Sequence, residues 1–476
     1  MYQEFGLFIA GKWERGPNRM TVPSPVSEQP IGEAVCATRA DTQRAIEAAD
    51  RALVHLRKMG GFARADALHR IADVMTARAD EAALMISTET GKPLVQSGRE
   101  WGLSVDQFRW YAEEARRIYG RVVESRVPGG CFEITKEAVG IVGAFTAWNF
   151  PASLPARKIA PALAAGCSIV LRPSSQTPGV AMMMIDCIQA GGLPDGAVNL
   201  VVGKTADTYE PVMADTRVRK VSLTGSTRVG QQMIRDAADT VKKVSMELGG
   251  NAPCIIFDDA DLGAALDACV PSKFGNAGQV CVTPDRFFVH DSLYDDFVSE
   301  FSQRAKALIL GDGLHHKTDM GPLINAARLT DVDAIVQDAI ASGAKLETGG
   351  KCATGFDAGH FYEPTVLSGV RDEMKVFAEE NFGPVAAISR FSTEKEVLMR
   401  ANSSPMGLSA YAFTQDPARA KRVVRTLKSG MVGINSFALA ASEAPFGGTN
   451  FSGLGREGGA EGIEDYLDTK LSQIVF

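Results

Sequence analysis

Much that would point directly to a function is missing from this chain of 476 residues. Its eight cysteines, at positions 36, 131, 167, 187, 254, 269, 281 and 352, never form a Cys-x-x-Cys pair. That disfavours a structural zinc centre or a thioredoxin-like motif, and no metal site is expected. Scattered single cysteines fit a reducing compartment, so a cytoplasmic setting is expected. There is no basic excess: the formal charge is −7, which argues against a nucleic-acid partner. No Lys/Arg run suits an anionic membrane surface. The opening MYQEFGLFIAGKWERG lacks the basic stretch and long apolar run of a signal peptide. One uncharged run, 138–156, is long enough to test as a membrane span. It contains Asn149, Pro151 and Pro155, and reads better as a buried strand followed by a turn.

What is present is an ordinary globular composition, 45% hydrophobic and 22% charged. The length suggests two to four domains at about 100–200 residues each. After a short β-like start, the first 120 residues read as helical. Ile46, Ala49, Leu53 and Leu56 form an amphipathic stripe, and 101–119 continues the pattern. Residues 121–134 read as a hairpin around Pro128-Gly129-Gly130. Short β-rich runs then recur near 141–146, 168–172, 198–202, 220–224 and 241–246, with helical patterns such as 155–165 and 180–190 between them. That is the pattern of βαβ units and a parallel, doubly wound sheet, which binds nucleotides at the carboxyl ends of its strands. A second α/β pattern runs from Asp258 to about 440. A Gly-rich stretch, 447–462, precedes a β-like end, LSQIVF, expected to pair with the 121–134 hairpin or with a neighbouring subunit.

The motifs differ in what they carry. Gly453-Leu454-Gly455-Arg456-Glu457-Gly458 satisfies GxGxxG, but too little chain follows for the helix and acidic residue of a dinucleotide fingerprint. A Gly-rich turn is the better reading. Leu223-Thr224-Gly225-Ser226-Thr227 lies where a β-run meets a helix, a place suited to a phosphate or to an ordinary capped turn. Arg172-Pro173-Ser174-Ser175 closes the second strand, where Arg172 can hold a phosphate or ribose oxygen and Ser175 a ribose hydroxyl. Cys281 follows Gly275-Asn276-Ala277-Gly278-Gln279-Val280. Most single cysteines are buried and inert, so position alone is weak evidence. The six histidines offer it no recognisable partner motif. Glu247 precedes Leu248-Gly249-Gly250-Asn251, a carboxylate beside a flexible turn.

Taken jointly, seven motifs in order resemble the aldehyde dehydrogenase superfamily, and nearest in pattern the bacterial NAD(P)-dependent semialdehyde dehydrogenases. They are Trp148-Asn149-Phe150-Pro151, RPSSQTP, LTGST, ELGGN, NAGQVC, Glu380-Asn381-Phe382-Gly383-Pro384 and Pro445-Phe446-Gly447-Gly448. The resemblance implies an α/β fold: a Rossmann-type cofactor domain (1–119 and 136–247), a second α/β catalytic domain (248–445) and a small β oligomerisation element (120–135 and 446–476). It implies a homodimer or homotetramer. It makes Cys281 the nucleophile, forming a thiohemiacetal and then a thioester. Asn149 and the Cys281 backbone N–H are the oxyanion donors, and Glu247 is the base that activates water. Gly225 and Ser226 match the pyrophosphate contact; Trp148, Arg172 and Ser175 match adenosine-side positions. Glu380 matches the nicotinamide-ribose residue, Phe382 packs nearby, and Leu248 contacts the nicotinamide region.

Departures from the family pattern are informative. Many NAD-linked members carry Lys at position 172 and Glu at 175. Ser175 removes a carboxylate that repels a 2′-phosphate, so NADP is expected to be accepted alongside or ahead of NAD. Arg157 matches an arginine that succinate-semialdehyde dehydrogenases use for the substrate carboxylate, whereas the second arginine of that pattern falls at Gly275. Thr283 replaces the second cysteine of a redox pair. Phe150, Val280, Val282 and Phe446 are expected to line an apolar pocket. Competing readings are a CoA-acylating semialdehyde dehydrogenase, a branch that usually lacks the glutamate present here as Glu247; a catalytically retired family member; and a cysteine hydrolase.

Overall fold

Residues 6–475 are described by a computed structural model of the protein. The run Ile141–Phe145 is buried at every position, as a central strand covered on both faces must be. It anchors an eight-stranded sheet. From it the chain moves outward through Ser168–Arg172 to Val198–Leu200, then returns to the other side of the first strand for Val218–Thr224 and Lys243–Glu247. These five strands are parallel. The reversal between Ile141–Phe145 and Val218–Thr224 is the topological switch point where a doubly wound sheet opens a crevice. Leu7–Ile9 and Lys12–Glu14 extend one edge antiparallel, and Gly453–Leu454 closes the other against Lys243–Glu247.

Helices Arg39–Leu56, Gly61–Ala77, Ala79–Thr90 and Leu94–Ala115 follow the first strands. The expected stripe on the first of them is real: Ile46, Ala49, Leu53 and Leu56 are all buried. Helix Leu94–Ala115 lies across helix Ser153–Ala165. The latter ends at Gly166, whose φ of 88° supplies the left-handed cap that side chains resist.

A seven-stranded sheet forms from the second half of the chain. Its order is Lys345–Thr348, Thr365–Ser368, Val385–Phe391, Pro284–His290, Ala252–Ile256, Ser409–Phe413, Met431–Ile434, parallel except at Lys345–Thr348. A third, three-stranded sheet resolves the pairing of the chain's end. Leu467–Val475 runs antiparallel to Gly130–Ala138 of the same chain, which pairs in turn with Arg121–Glu124. The hairpin turns through Gly129 at φ 74°. Among the described residues no helix is long and apolar enough to cross a membrane, and no group of His, Cys, Asp or Glu is placed to hold a metal ion.

Candidate active site

Register brings the strand-end motifs to one edge. Phe145 pairs with Arg172 and with Leu223, and Thr224 pairs with Glu247. The residues that follow these strands, Trp148-Asn149, Gly225-Ser226 and Leu248, therefore emerge side by side at the carboxyl ends. Ser226 is the N-cap of helix Thr227–Ala238, its hydroxyl accepting from Val229 N at 3.4 Å. Leu248 is buried against Gly230, where a Cβ would come within 2.5 Å of it.

The second lobe presents Cys281 to this edge. Helix Leu262–Phe274 ends in a tight turn in which Asn276, Ala277 and Gly278 all take positive φ, at 49°, 54° and 71°. Two of these are not glycine, a local strain that packing must hold. The two glycines after Glu247 explain how the parts meet. A Cβ on Gly250 would lie 2.5 Å from the Cys281 carbonyl oxygen, and one on Gly249 would lie 2.5 Å from a Glu380 carboxylate oxygen. Gly250 N donates to Glu380 Oε1 at 3.0 Å. The Glu380 loop is fixed from below: Lys273 Nζ donates to Asp285 at 2.9 Å, and Asp285 accepts from Asn381 N at 3.2 Å.

Asn149 is buried. Its Nδ2 donates to the Gln279 carbonyl at 3.1 Å, which leaves a second N–H of the amide free. Phe446, Leu408 and Met431 form a small apolar cluster that packs on Cys281 and Val282. Phe150 stands apart from it, under the ammonium of Lys92 at 4.2 Å, and Val280 is half-buried without joining that cluster. Arg157 is buried with its guanidinium 4.7 Å from the Phe446 ring, and its Nη1 has no hydrogen-bond partner. Position 275 has no side chain, and a Cβ built on Gly275 would meet open space, with no atom within 4 Å outside its chain neighbours. Trp148 and Phe382 meet edge to face at 5.6 Å, so these two share one wall.

Glu247 is buried, whereas Cys281 and Glu380 are half-buried. Burial pushes the Cys281 thiol up to about 12, and the carboxylates of Glu380 and Glu247 add to the effect. Burial also raises Glu380 to about 7. Glu247 is raised well above the ordinary carboxylate value by burial and by Glu457, with Lys158, Arg157 and Arg456 opposing. Its Oε2 is buried without a partner. Glu457 is itself paired with buried Lys158 at 2.5 Å. A thiol, an unpartnered carboxylate and an amide donor converging in low dielectric suit acyl chemistry at a carbonyl.

A dinucleotide fits the residues present. The N-terminus of helix Thr227–Ala238 behind Gly225-Ser226 favours an anion. Arg172, half-buried, donates to the Gly203 carbonyl at 3.1 Å and has no acidic partner among the described residues. Ser175 beside it adds a hydroxyl and no negative charge. At the far end Glu380, aimed over Gly249, supplies the acceptor a ribose needs.

Some residues of the site had no role assigned from the sequence. Lys92, Glu100 and Gln279 hold Asn149 and its surroundings through contacts distant in sequence. The Thr-Gly-Lys-Pro turn at 90–93 was the available hint. The GxGxxG stretch is not the simple turn expected: Gly453–Leu454 is a short edge strand, Glu457 bridges Phe446, and Gly453, Gly455 and Gly458 take φ 142°, 84° and 74°.

Comparison with known proteins agrees with this geometry. The aldehyde dehydrogenase family model matches residues 13–472. The glutarate-semialdehyde dehydrogenase of Pseudomonas putida is 41% identical over 465 residues, covering 97% of this chain and 96% of that one. Among solved structures, the succinate-semialdehyde dehydrogenase from Burkholderia pseudomallei superposes with a TM-score of 0.97 at 40% identity, covering 99% of this chain and 98% of that one. An NADP-dependent enzyme of E. coli gives a TM-score of 0.97 at 39% identity, with 99% and 98% covered. Matched along nearly its whole length, the chain belongs to the aldehyde dehydrogenase family and is an NAD(P)-dependent oxidoreductase acting on an aldehyde.

Proposed function

We propose that the substrate is an anionic semialdehyde of medium size, such as succinate semialdehyde, and that NADP is preferred over NAD. The observation that carries the substrate reading is Arg157, a buried guanidinium with no acidic partner among the described residues, beside the apolar cluster that packs on Cys281. A buried cation with no carboxylate hydrogen-bonded to it is costly, and a substrate carboxylate relieves that cost. Semialdehyde dehydrogenases among the relatives support the same choice. The preference for NADP rests on Arg172 without an acidic partner and on Ser175 in place of a carboxylate.

In this reading Cys281 first loses its S–H proton to water, and the thiolate sulfur attacks the aldehyde carbon. A C–S bond forms, and the carbonyl electron pair moves to oxygen. The free N–H of Asn149 and the Cys281 backbone N–H hold that oxyanion. The nicotinamide, when bound, supplies the hydride acceptor. Glu247 takes a proton from water, whose oxygen attacks the resulting thioester on Cys281. The C–S bond breaks, the acid leaves, and the thiolate is restored. Phe446 and Val282 wall the acyl chain, with Phe150 and Val280 further along. Glu380, Phe382, Trp148 and Leu248 hold the nicotinamide side. The three-stranded sheet, which exposes Val122 and Leu471, joins copies of the chain into a homo-oligomer, and the enzyme works in the cytoplasm.

The test is a panel of neutral and carboxylated aldehydes with NAD and NADP, read by reduced-cofactor absorbance. Cys281→Ala should abolish turnover. Arg157→Ala should raise KM for the carboxylated aldehydes by about 10- to 100-fold, from the ~1.5–3 kcal/mol of a charged hydrogen bond, and leave neutral aldehydes unchanged. An unaltered KM for succinate semialdehyde overturns the carboxylate role.

A further inference from the structure

We propose that the buried Lys92–Glu100 pair is the positioning device for the Asn149 amide, a part of the catalytic machinery that touches neither substrate nor cofactor. This rests on the reading of Asn149 as an oxyanion donor. Residues 146–152 form no regular secondary structure between strand Ile141–Phe145 and helix Ser153–Ala165. Such a segment has no ladder to fix its backbone, so side chains must hold it. Lys92 and Glu100 do this from outside. Lys92 Nζ donates to the Asn149 carbonyl at 2.8 Å and to Glu100 Oε2 at 2.6 Å, and lies 4.2 Å from the Phe150 ring centroid. Glu100 Oε1 accepts from Ala152 N at 2.8 Å and from Ser153 N at 3.3 Å. One ion pair thus grips the segment at residues 149, 150, 152 and 153.

Both side chains are only 1% exposed. A buried pair of charges costs desolvation that apolar packing would avoid, so stability alone is a weak reason for it. What it does achieve is direction. The Asn149 carbonyl also accepts from Asn276 Nδ2 at 3.1 Å, and the same Nδ2 donates to the Gln279 carbonyl at 3.2 Å, the group that Asn149 Nδ2 itself reaches. The Asn149 backbone is therefore clamped between Lys92 on one side and the turn that carries Cys281 on the other. The donor N–H and the nucleophile are set relative to each other through this clamp. Oxyanion donors act only when aimed at the position the charge will occupy.

The test is a double-mutant cycle on the full-length protein. Lys92→Met is made in the native chain and in the Asn149→Ala background. In the native background it should lower kcat by roughly 10- to 100-fold, the effect of a small misplacement of a catalytic group. KM for aldehyde and cofactor affinity should stay within about twofold, since neither contacts the pair. Hydrolysis of p-nitrophenyl acetate by cofactor-free protein should fall in parallel, because it uses the same oxyanion donors. In the Asn149→Ala background Lys92→Met should cost less than about threefold, as expected for two changes on one path. Equal losses in both backgrounds, or an unchanged kcat in the native one, overturn the proposal. A fully active Asn149→Ala protein instead overturns the oxyanion assignment beneath it. Should Lys92→Met alone fail to fold, Lys92→Met/Glu100→Gln removes both charges, keeps an acceptor for Ala152 and Ser153, and carries the same expectations.

Discussion

Replacing Glu380 with glutamine should make Cys281 easier to alkylate. The thiol is pushed up to about 12, first by burial and next by the Glu380 carboxylate. At pH 8 the thiolate is then a small minority. Glu380 is raised to about 7, so it is charged throughout pH 8–10 and opposes the thiolate there. A nearby like charge moves a titration by about 1–3 pH units. Burial is the larger cause here, so the low end applies, and Glu380→Gln should leave about tenfold more thiolate at any pH below the midpoint. The assay is iodoacetamide alkylation of cofactor-free protein, scored at Cys281 by peptide mass spectrometry, because Cys352 is exposed and Cys36 and Cys131 are half-buried and also react. The wild-type rate should climb about tenfold per pH unit across pH 8–10, with the variant's curve about tenfold higher. An unchanged or slower rate in the variant refutes the electrostatic account. So does a wild-type plateau near pH 8.5, the ordinary thiol value.

Two further outcomes follow from the same geometry. Ser175→Glu places a carboxylate beside Arg172 and should lower the ratio of kcat/KM for NADP over NAD by at least about tenfold, or ~1.4 kcal/mol, through repulsion of a 2′-phosphate; parallel NADP and NAD kinetics check it. Gly278→Ala puts a Cβ 2.0 Å from the Gly383 carbonyl oxygen at a φ of 71°. Left-handed strain of about 1–2 kcal/mol and overpacking of about 1–3 kcal/mol should together appear as a clear loss in Tm by thermal unfolding, while a surface control such as Gly98→Ala, which meets no neighbouring atom within 4 Å, should not.

Local chemistry decided what the sequence could determine alone. Alternation of β-rich runs with helical patterns was enough for a doubly wound sheet, because period and turn residues are local. The motifs at 148–151, 172–178, 223–227, 247–251, 276–281 and 380–384 were legible for the same reason. Each is a strand end or tight turn whose glycines, asparagines and reactive side chains sit together in the chain.

Only the tertiary structure decided what depends on distant segments meeting. The end of the chain was open to several pairings by sequence, and in the fold Leu467–Val475 lies in register on Gly130–Ala138 of the same chain. Lys92 is an ordinary lysine in sequence. It becomes a clamp only because folding buries it against a carbonyl 57 residues away and pairs it with Glu100. The same holds for charge. Cys281, Glu247 and Glu380 depart from their ordinary pKa values because three separate stretches of chain close around them, burying Glu247 and leaving Cys281 and Glu380 half-buried. Desolvation is a property of a closed interior, which no stretch of sequence possesses by itself.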